Sequence, residues 1–377
     1  MITNTKKILV NFSVFMYFLL LLLTSLFENY IIFIFFYLSL LLCGIVGLYV
    51  QNLKLTIQKF LVIGLFVFMG IMNIFIVGNT TINEIIFVLL FGIVSFTISS
   101  KELNEKTLLL ILGLNIIVVL YKYLTVGLYG RLYTSASRNF VSVYLMYPTV
   151  IYYSIIARKK NEYINMLPVI LVWILSLISR GRGGIISSTV FLIGVYIVKY
   201  RSMKLIKKMI VISIFFLAIA IAMLNISYIL EKLRTSVIME LFVSNGMNSS
   251  RTRFWSEYIE LAVSNLKNFV FGANISDTFI GRYLEGNPHN SFIEIHILNG
   301  IFSLITIIVL LIKNGITSFR EKNYLYFVCM LSIMIRAFTD HVLWASFGTP
   351  ILFYFIFYYN VIIQPCHNNY TYIGGGK

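Results

Sequence analysis

The sequence predicts an all-α, polytopic transmembrane bundle of about twelve spans, with one long external loop that contains amphipathic helices. Three observations predict it. Hydrophobic residues fill 59% of the 377 positions and charged residues only 12%, with a mean hydropathy of +0.90, more apolar surface than one water-soluble core can absorb. Apolar runs long enough to cross a hydrocarbon layer recur along the chain between short polar breaks. One segment, 231–289, is polar enough to stand in water.

The runs fall at about 8–27, 30–50, 60–78, 82–100, 107–125, 139–157, 164–179, 184–200, 209–230, 290–312, 323–340 and 349–364. They tolerate Gly and Pro (Pro148, Pro168), as membrane helices do, because neighbouring helices satisfy the freed backbone groups. The first run follows Lys6 and Lys7 like a signal peptide, but no alanine precedes Ala136 to supply a cleavage site, so it is read as a retained helix. The chain thus divides into 1–230 with spans one to nine, 231–289 as the external loop with its amphipathic helices, and 290–377 with spans ten to twelve and a cytoplasmic tail. Cys43 and Cys329 fall in apolar runs and Cys366 in the tail, which is no disulfide framework.

A net charge of +16 raises the question of nucleic acid, but the Lys and Arg lie in short clusters between apolar runs, which is the pattern of membrane topology. No nucleic-acid partner is expected. With the N-terminus inside, 18 of the 30 basic residues fall on the cytoplasmic side and 15 of those are lysines; of the 12 on the other side 9 are arginines. Lysine is a general topogenic charge, whereas the arginine fork pairs two oxygens of a phosphate or carboxylate at once. Arginines that oppose the positive-inside bias therefore suggest an anion at the outer face. The plainer account is pairing with Glu257, Glu260, Glu285 and Asp340.

Four constellations can carry chemistry. Ser179-Arg180-Gly181-Arg182-Gly183-Gly184 forms the whole connection between spans seven and eight, with glycines that admit a ligand to the backbone and a helix N-terminus behind them; as a tight hairpin touching lipid headgroups it has a simpler use. Asn287-Pro288-His289-Asn290-Ser291-Phe292 opens span ten, with Asn287 as expected cap, Pro288 at the first helical position and His289 in the first turn, where a neutral imidazole can act as a base or bond a loop carbonyl. His296 is expected to be packed and hydrogen-bonded, and His367 solvated. Asn248-Ser249-Ser250-Arg251-Thr252-Arg253-Phe254-Trp255 reads as caps and the start of an external helix with Phe254, Trp255, Tyr258, Ile259, Ala262 and Leu266 on its apolar side; that helix is a surface element or holds Arg251 and Arg253 over the outer mouth. Arg336, Asp340 and His341 cluster at the end of span eleven, where the i,i+4 pair Arg336/Asp340 can neutralise itself. No D-x-D or E-x-D pair, zinc spacing, Walker loop or G-x-S-x-G elbow occurs, so no metal site and no cofactor are expected.

An S-R-G-R-G-G turn, a loop with S-R-x-R-x-x-W, and P-H-N-S-F followed by Gly300 resemble, in that order, the O-antigen polymerase and O-antigen ligase family over Arg131 to Asp340. The resemblance implies a multi-pass glycosyltransferase of the bacterial inner membrane, inverting and metal-independent, active on the face outside the cytoplasm. Its substrates would be undecaprenyl-diphosphate-linked oligosaccharides, and a chain-length regulator and a flippase of the same pathway would be its partners. By this resemblance His289 is the catalytic position, and Arg180, Arg182 and Arg251, with Arg253, Arg138 and Arg336 beside them, bind the diphosphate. The expected function is a repeat-unit polymerase for a surface polysaccharide, O-antigen or capsule. A ligase of the same family is the nearest alternative. A flippase for the same lipid-linked sugars is the other, although its charges should line a mid-span cavity.

Overall fold

The computed structural model describes residues 2–51, 53–127, 132–133, 139–159, 163–210, 213, 225, 251–276, 278–284 and 286–359. Most of span nine and of the loop up to residue 250 lie outside them, as do Arg131, Arg138, Glu285, Cys366 and His367.

Polar residues at the ends of the apolar runs take over the open backbone groups and so set where each helix begins. Helix α1 (Ile2–Leu26) is followed by α2 (Tyr30–Val50), where Asn29 accepts from the Ile31 N–H, and by α3 (Leu53–Ile76). In α4 (Ile82–Ile98) Thr81 and Glu84 form a reciprocal capping box, and α5 (Glu105–Val126) starts at the Asn104 cap and stops at Gly127. Then come α6 (Phe140–Arg158), α7 (Leu167–Ser179) with Pro168 in its first turn, and α8 (Arg182–Ser202). Three short helices, α9 (Arg251–Val263), α10 (Leu266–Phe271) and α11 (Phe279–Tyr283), precede α12 (Ser291–Arg320), α13 (Tyr324–Thr339) and α14 (Thr349–Phe357).

Among the described residues, seven helices are long and apolar enough to cross a membrane: Asn4–Leu26, Tyr30–Val50, Ile57–Ile76, Glu105–Val126, Phe140–Arg158, Arg182–Ser202 and Ser291–Arg320. The expected spans four, seven and eleven appear as the shorter apolar helices α4, α7 and α13, and the last run is helical over Thr349–Phe357. Large apolar side chains line the outside of the bundle, including Ile45, Phe75, Ile117 and Leu124. A surface of that kind is stable against lipid and costly against water.

Helix α6 occupies the centre, with every residue from Val141 to Ile156 buried. It packs on α5, α7, α8 and α13, while α1, α2 and α4 form a second layer that α14 joins to the rest. Helix α12 lies against α3, α10 and α13 and breaks at Gly300, whose φ of 69° is open to glycine at little cost. A Cβ there would collide with the Val270 carbonyl. Polar side chains take up carbonyls just before the break: Asn73 Nδ2 donates to Ile297 O at 2.9 Å, Thr80 Oγ1 to Leu298 O at 2.6 Å.

Polar contacts gather at two opposite ends of the helices. At one, Lys159 pairs with Glu105 at 3.1 Å, Arg158 donates to Ser100 O at 3.3 Å and Lys59 donates to Gln51 and Ser99 at 2.7 and 2.9 Å. The other is the arginine-rich end.

Candidate functional site

At that end the C-termini of α7 and α13 meet the N-termini of α6, α8 and α12, and α9 lies beside them. Arg180 caps α7 in the left-handed conformation (φ 59°) and Arg182 opens α8, both half-buried. The glycines of this turn each face a neighbouring side chain. A side chain at Gly181 would meet Asn139, one at Gly183 would meet Thr339 and one at Gly184 would meet Ser142. Their smallness lets α8 approach α6 and α13 closely, and the start of α8, with Arg182, is thereby held close to Arg336 and Arg251.

Arg336 is 1% exposed. Its Nη2 donates to Asp340 Oδ2 at 3.2 Å and to Asn139 O at 3.0 Å, Nε to Ser142 Oγ at 3.3 Å and Nη1 to Thr339 Oγ1 at 3.3 Å. The i,i+4 pair anticipated from the sequence is thus present, and the guanidinium is committed to protein groups on every nitrogen. That geometry ties α13 to the start of α6 and to Asp340 through one side chain.

Asp340 also serves the histidines. His289 Nδ1 lies 3.1 Å from Asp340 Oδ1 and His341 Nδ1 lies 3.8 Å from the same oxygen. Burial works to raise the Asp340 carboxyl, but the two histidines and Arg336 outweigh it and hold it well below the ordinary carboxylate range. Ser291 ties the ends together, donating to Asp340 O at 3.0 Å and accepting from the Val342 and Leu343 N–H groups at 2.9 and 3.1 Å.

His289 sits elsewhere on its helix than expected. The cap is Asn290, whose side chain accepts from the Phe292 and Ile293 N–H groups at 2.9 and 3.2 Å. His289 lies just outside α12 with φ 49°, its N–H donating to Asn287 Oδ1 at 2.8 Å. The left-handed residue turns the imidazole toward the Asp340 carboxylate. An Nδ1–H held on a carboxylate leaves Nε2 as the basic nitrogen, and the side chain is 30% exposed.

Helix α9 closes over this arrangement. Phe254, Tyr258 and Ala262 are its buried residues, one turn apart, whereas Ile259 stays exposed and Leu266, expected on the same apolar side, lies exposed in α10. The spacing of i, i+4, i+8 makes a narrower stripe than the one expected. Trp255 Nε1 donates to Pro288 O at 2.8 Å and Arg251 Nη1 to Thr339 O at 2.6 Å. Burial lowers the Arg251 guanidinium from its usual value; Asp340 opposes this, and Arg182 and Arg336 add to it by repulsion. Three guanidiniums are therefore close enough to repel, with Asp340 already shared among several partners. The Arg253 side chain and Arg138 lie outside the described residues.

His296 is packed as expected, 5% exposed, accepting from the Tyr258 hydroxyl at Nδ1 (2.6 Å) and donating from Nε2 to Phe269 O (2.9 Å). Sequence reasoning passed over Glu294 and gave His341 no role. Glu294 Oε2 is inaccessible and lacks a hydrogen-bond partner among the described residues, and His341 Nδ1, equally inaccessible, has only the 3.8 Å ion pair with Asp340.

Comparisons with family models, curated proteins and solved structures find no match to this chain.

Proposed function

We propose that this chain is a membrane glycosyltransferase that polymerises the repeat units of a surface polysaccharide, moving a glycan from a lipid diphosphate onto a sugar hydroxyl of a lipid-linked unit. One observation carries the reading: a carboxylate-oriented histidine, His289 on Asp340, stands in the same helix-end cluster as Arg180, Arg182 and Arg251. A base beside a cluster of cations suits transfer from a diphosphate to an alcohol. The acceptor hydroxyl gives its proton to His289 Nε2 while its oxygen bonds the anomeric carbon. The bond from that carbon to the diphosphate breaks on the opposite face, which inverts the centre. The developing charge falls to Arg180, Arg182 and Arg251, while Arg336 and Asp340 hold the arginine and histidine halves in register.

In this reading the arginine-rich end faces away from the cytoplasm, both termini face it, and twelve crossings are completed by the shorter helices and the run at 209–230. The flippase alternative is less well supported, because the arginines sit at one end of the helices instead of along a path through them. Deleting the gene and sizing the surface glycan tests the proposal. Single repeat units mean a polymerase. Full-length chains left on their lipid carrier mean a ligase, and material trapped inside the cell means a flippase.

A further inference from the structure

A cavity opens between α9 and α11, and none of Arg180, Arg182 and Arg251 lines it. It has a volume of about 410 Å³ and is lined by Ser256, Glu257, Glu260, Phe279, Arg282 and Tyr283, within the size range of small-molecule sites. Its walls are of two kinds. Phe279 and Tyr283, ring centroids 4.8 Å apart, form an aromatic surface, and Tyr283 is 69% exposed. Opposite them Glu257 and Glu260 supply carboxylate oxygens, of which Glu257 Oε2 also accepts from the Phe279 N–H at 3.1 Å.

We propose that this groove binds a non-anionic sugar ring of the glycan, at a position removed from the bond being formed. The inference rests on the reading of His289 as the transfer centre and deepens it. A pyranose has C–H faces that lie on aromatic rings and a rim of hydroxyls that donate to carboxylates, which is the combination the groove presents. Two carboxylates against one guanidinium repel a diphosphate, so the anionic part of the substrate goes to the arginine cluster and the saccharide to this side. A strip of rings joins the two places. Phe279 stacks on Phe254 at 6.1 Å with planes 2° apart, and Phe254 lies 6.4 Å from His289. Phe254 is buried, so this strip fixes the spacing of dyad and groove through the packing of α9 and is not itself the surface the glycan touches.

The test uses the full chain in nanodiscs, with oligosaccharide released by mild acid from the producing cell's own lipid-linked pool, which carries no diphosphate. Calorimetry should detect binding to the wild type, weakened about tenfold or more by Tyr283→Ala or Glu260→Gln, retained by Tyr283→Phe and retained by Arg182→Ala. The same two weakening variants should shift the product ladder to shorter chains. Binding equal in wild type and Tyr283→Ala, or lost only in Arg182→Ala, overturns the proposal, as does titration of calcium chloride that reveals a Glu260-dependent cation site with no saccharide binding. Failure of the parent reading looks different: saccharide binds the groove of a protein that makes no polymer from lipid-diphosphate substrate.

Discussion

His289 and Asp340 stand 51 residues apart in the chain and 3.1 Å apart in space, imidazole Nδ1 on carboxylate Oδ1. If that contact orients a base, His289→Ala should slow transfer by about 10²- to 10⁴-fold, and Asp340→Asn should approach the same loss by releasing the tautomer. Product ladders from nanodisc-held protein and lipid-diphosphate oligosaccharide give the rates. A His289→Ala protein with a normal ladder reduces the residue to a loop contact.

Fork geometry should matter at the arginine end. A lysine keeps the charge of Arg180 or Arg182 but cannot hold two phosphate oxygens at once, so Arg180→Lys and Arg182→Lys should each lose polymer by about tenfold or more. Lys204→Arg, in the opposite exchange between α8 and the chain that follows, should be near neutral. Full activity of the two lysine variants would end the anion-clamp reading.

Arg336 makes a separable prediction about stability. Arg336→Ala leaves Asp340 buried without its cation, at a cost of about 3–5 kcal/mol, and should lower the thermal midpoint in detergent well below that of His289→Ala. Equal midpoints for the two variants would contradict the structural role of the pair.

The Asp340 cluster also gives stability a pH profile. Burial lowers the His341 imidazole, but the Asp340 carboxylate outweighs this and raises it above its usual value. A raised folded-state value means its contribution is full below the unfolded value of about 6.5 and is lost as pH climbs through the folded one. Asp340 runs the other way: its contribution is present above about 3.9 and disappears as pH falls through its depressed value. Thermal midpoints should therefore decline toward alkaline pH in the wild type, and His341→Gln should flatten that limb. An unchanged alkaline limb in the variant would exclude His341 as its source.

Orientation can be read from Lys267 in α10. Lys267→Cys should react with a membrane-impermeant thiol reagent in intact cells, since α9 to α11 belong to the outward side in the proposed topology. Protection until the cells are opened would invert it.

Helix positions were legible because spans need length and low polarity, both local properties, and ten of the apolar runs reappear as helices, although α1 and α3 begin several residues earlier than expected and α12 runs on to Arg320, well past the expected end at 312. The Arg336/Asp340 pair was legible for the same reason, being one helical turn apart. The His289 contact was not, since no periodicity links it to a residue on another helix. Two asparagines flank His289, and only the backbone decides that Asn290 is the cap. The glycines at 181, 183 and 184 read equally as room for a ligand or as a tight hairpin, because a sequence tells that a residue is small without telling what lies opposite it.

The break at Gly300 divides α12 into two lengths with different attachments. The first, bearing Ser291 and the start of the site, is stapled by Asn73 and Thr80 to the α3–α4 corner and faces Phe269 through His296. The second exposes large apolar side chains such as Phe302, Ile305, Val309 and Ile312 on one face and is tied on the other to α14, where Asn314 Nδ2 donates to Phe355 O and Ile356 O at 2.6 and 2.9 Å. A helix in a bilayer tilts to match hydrocarbon thickness, and an unbroken α12 would carry that rotation straight to Asp340. The interruption limits that transfer: the two lengths are anchored to different neighbours, so a tilt of the second need not turn the first.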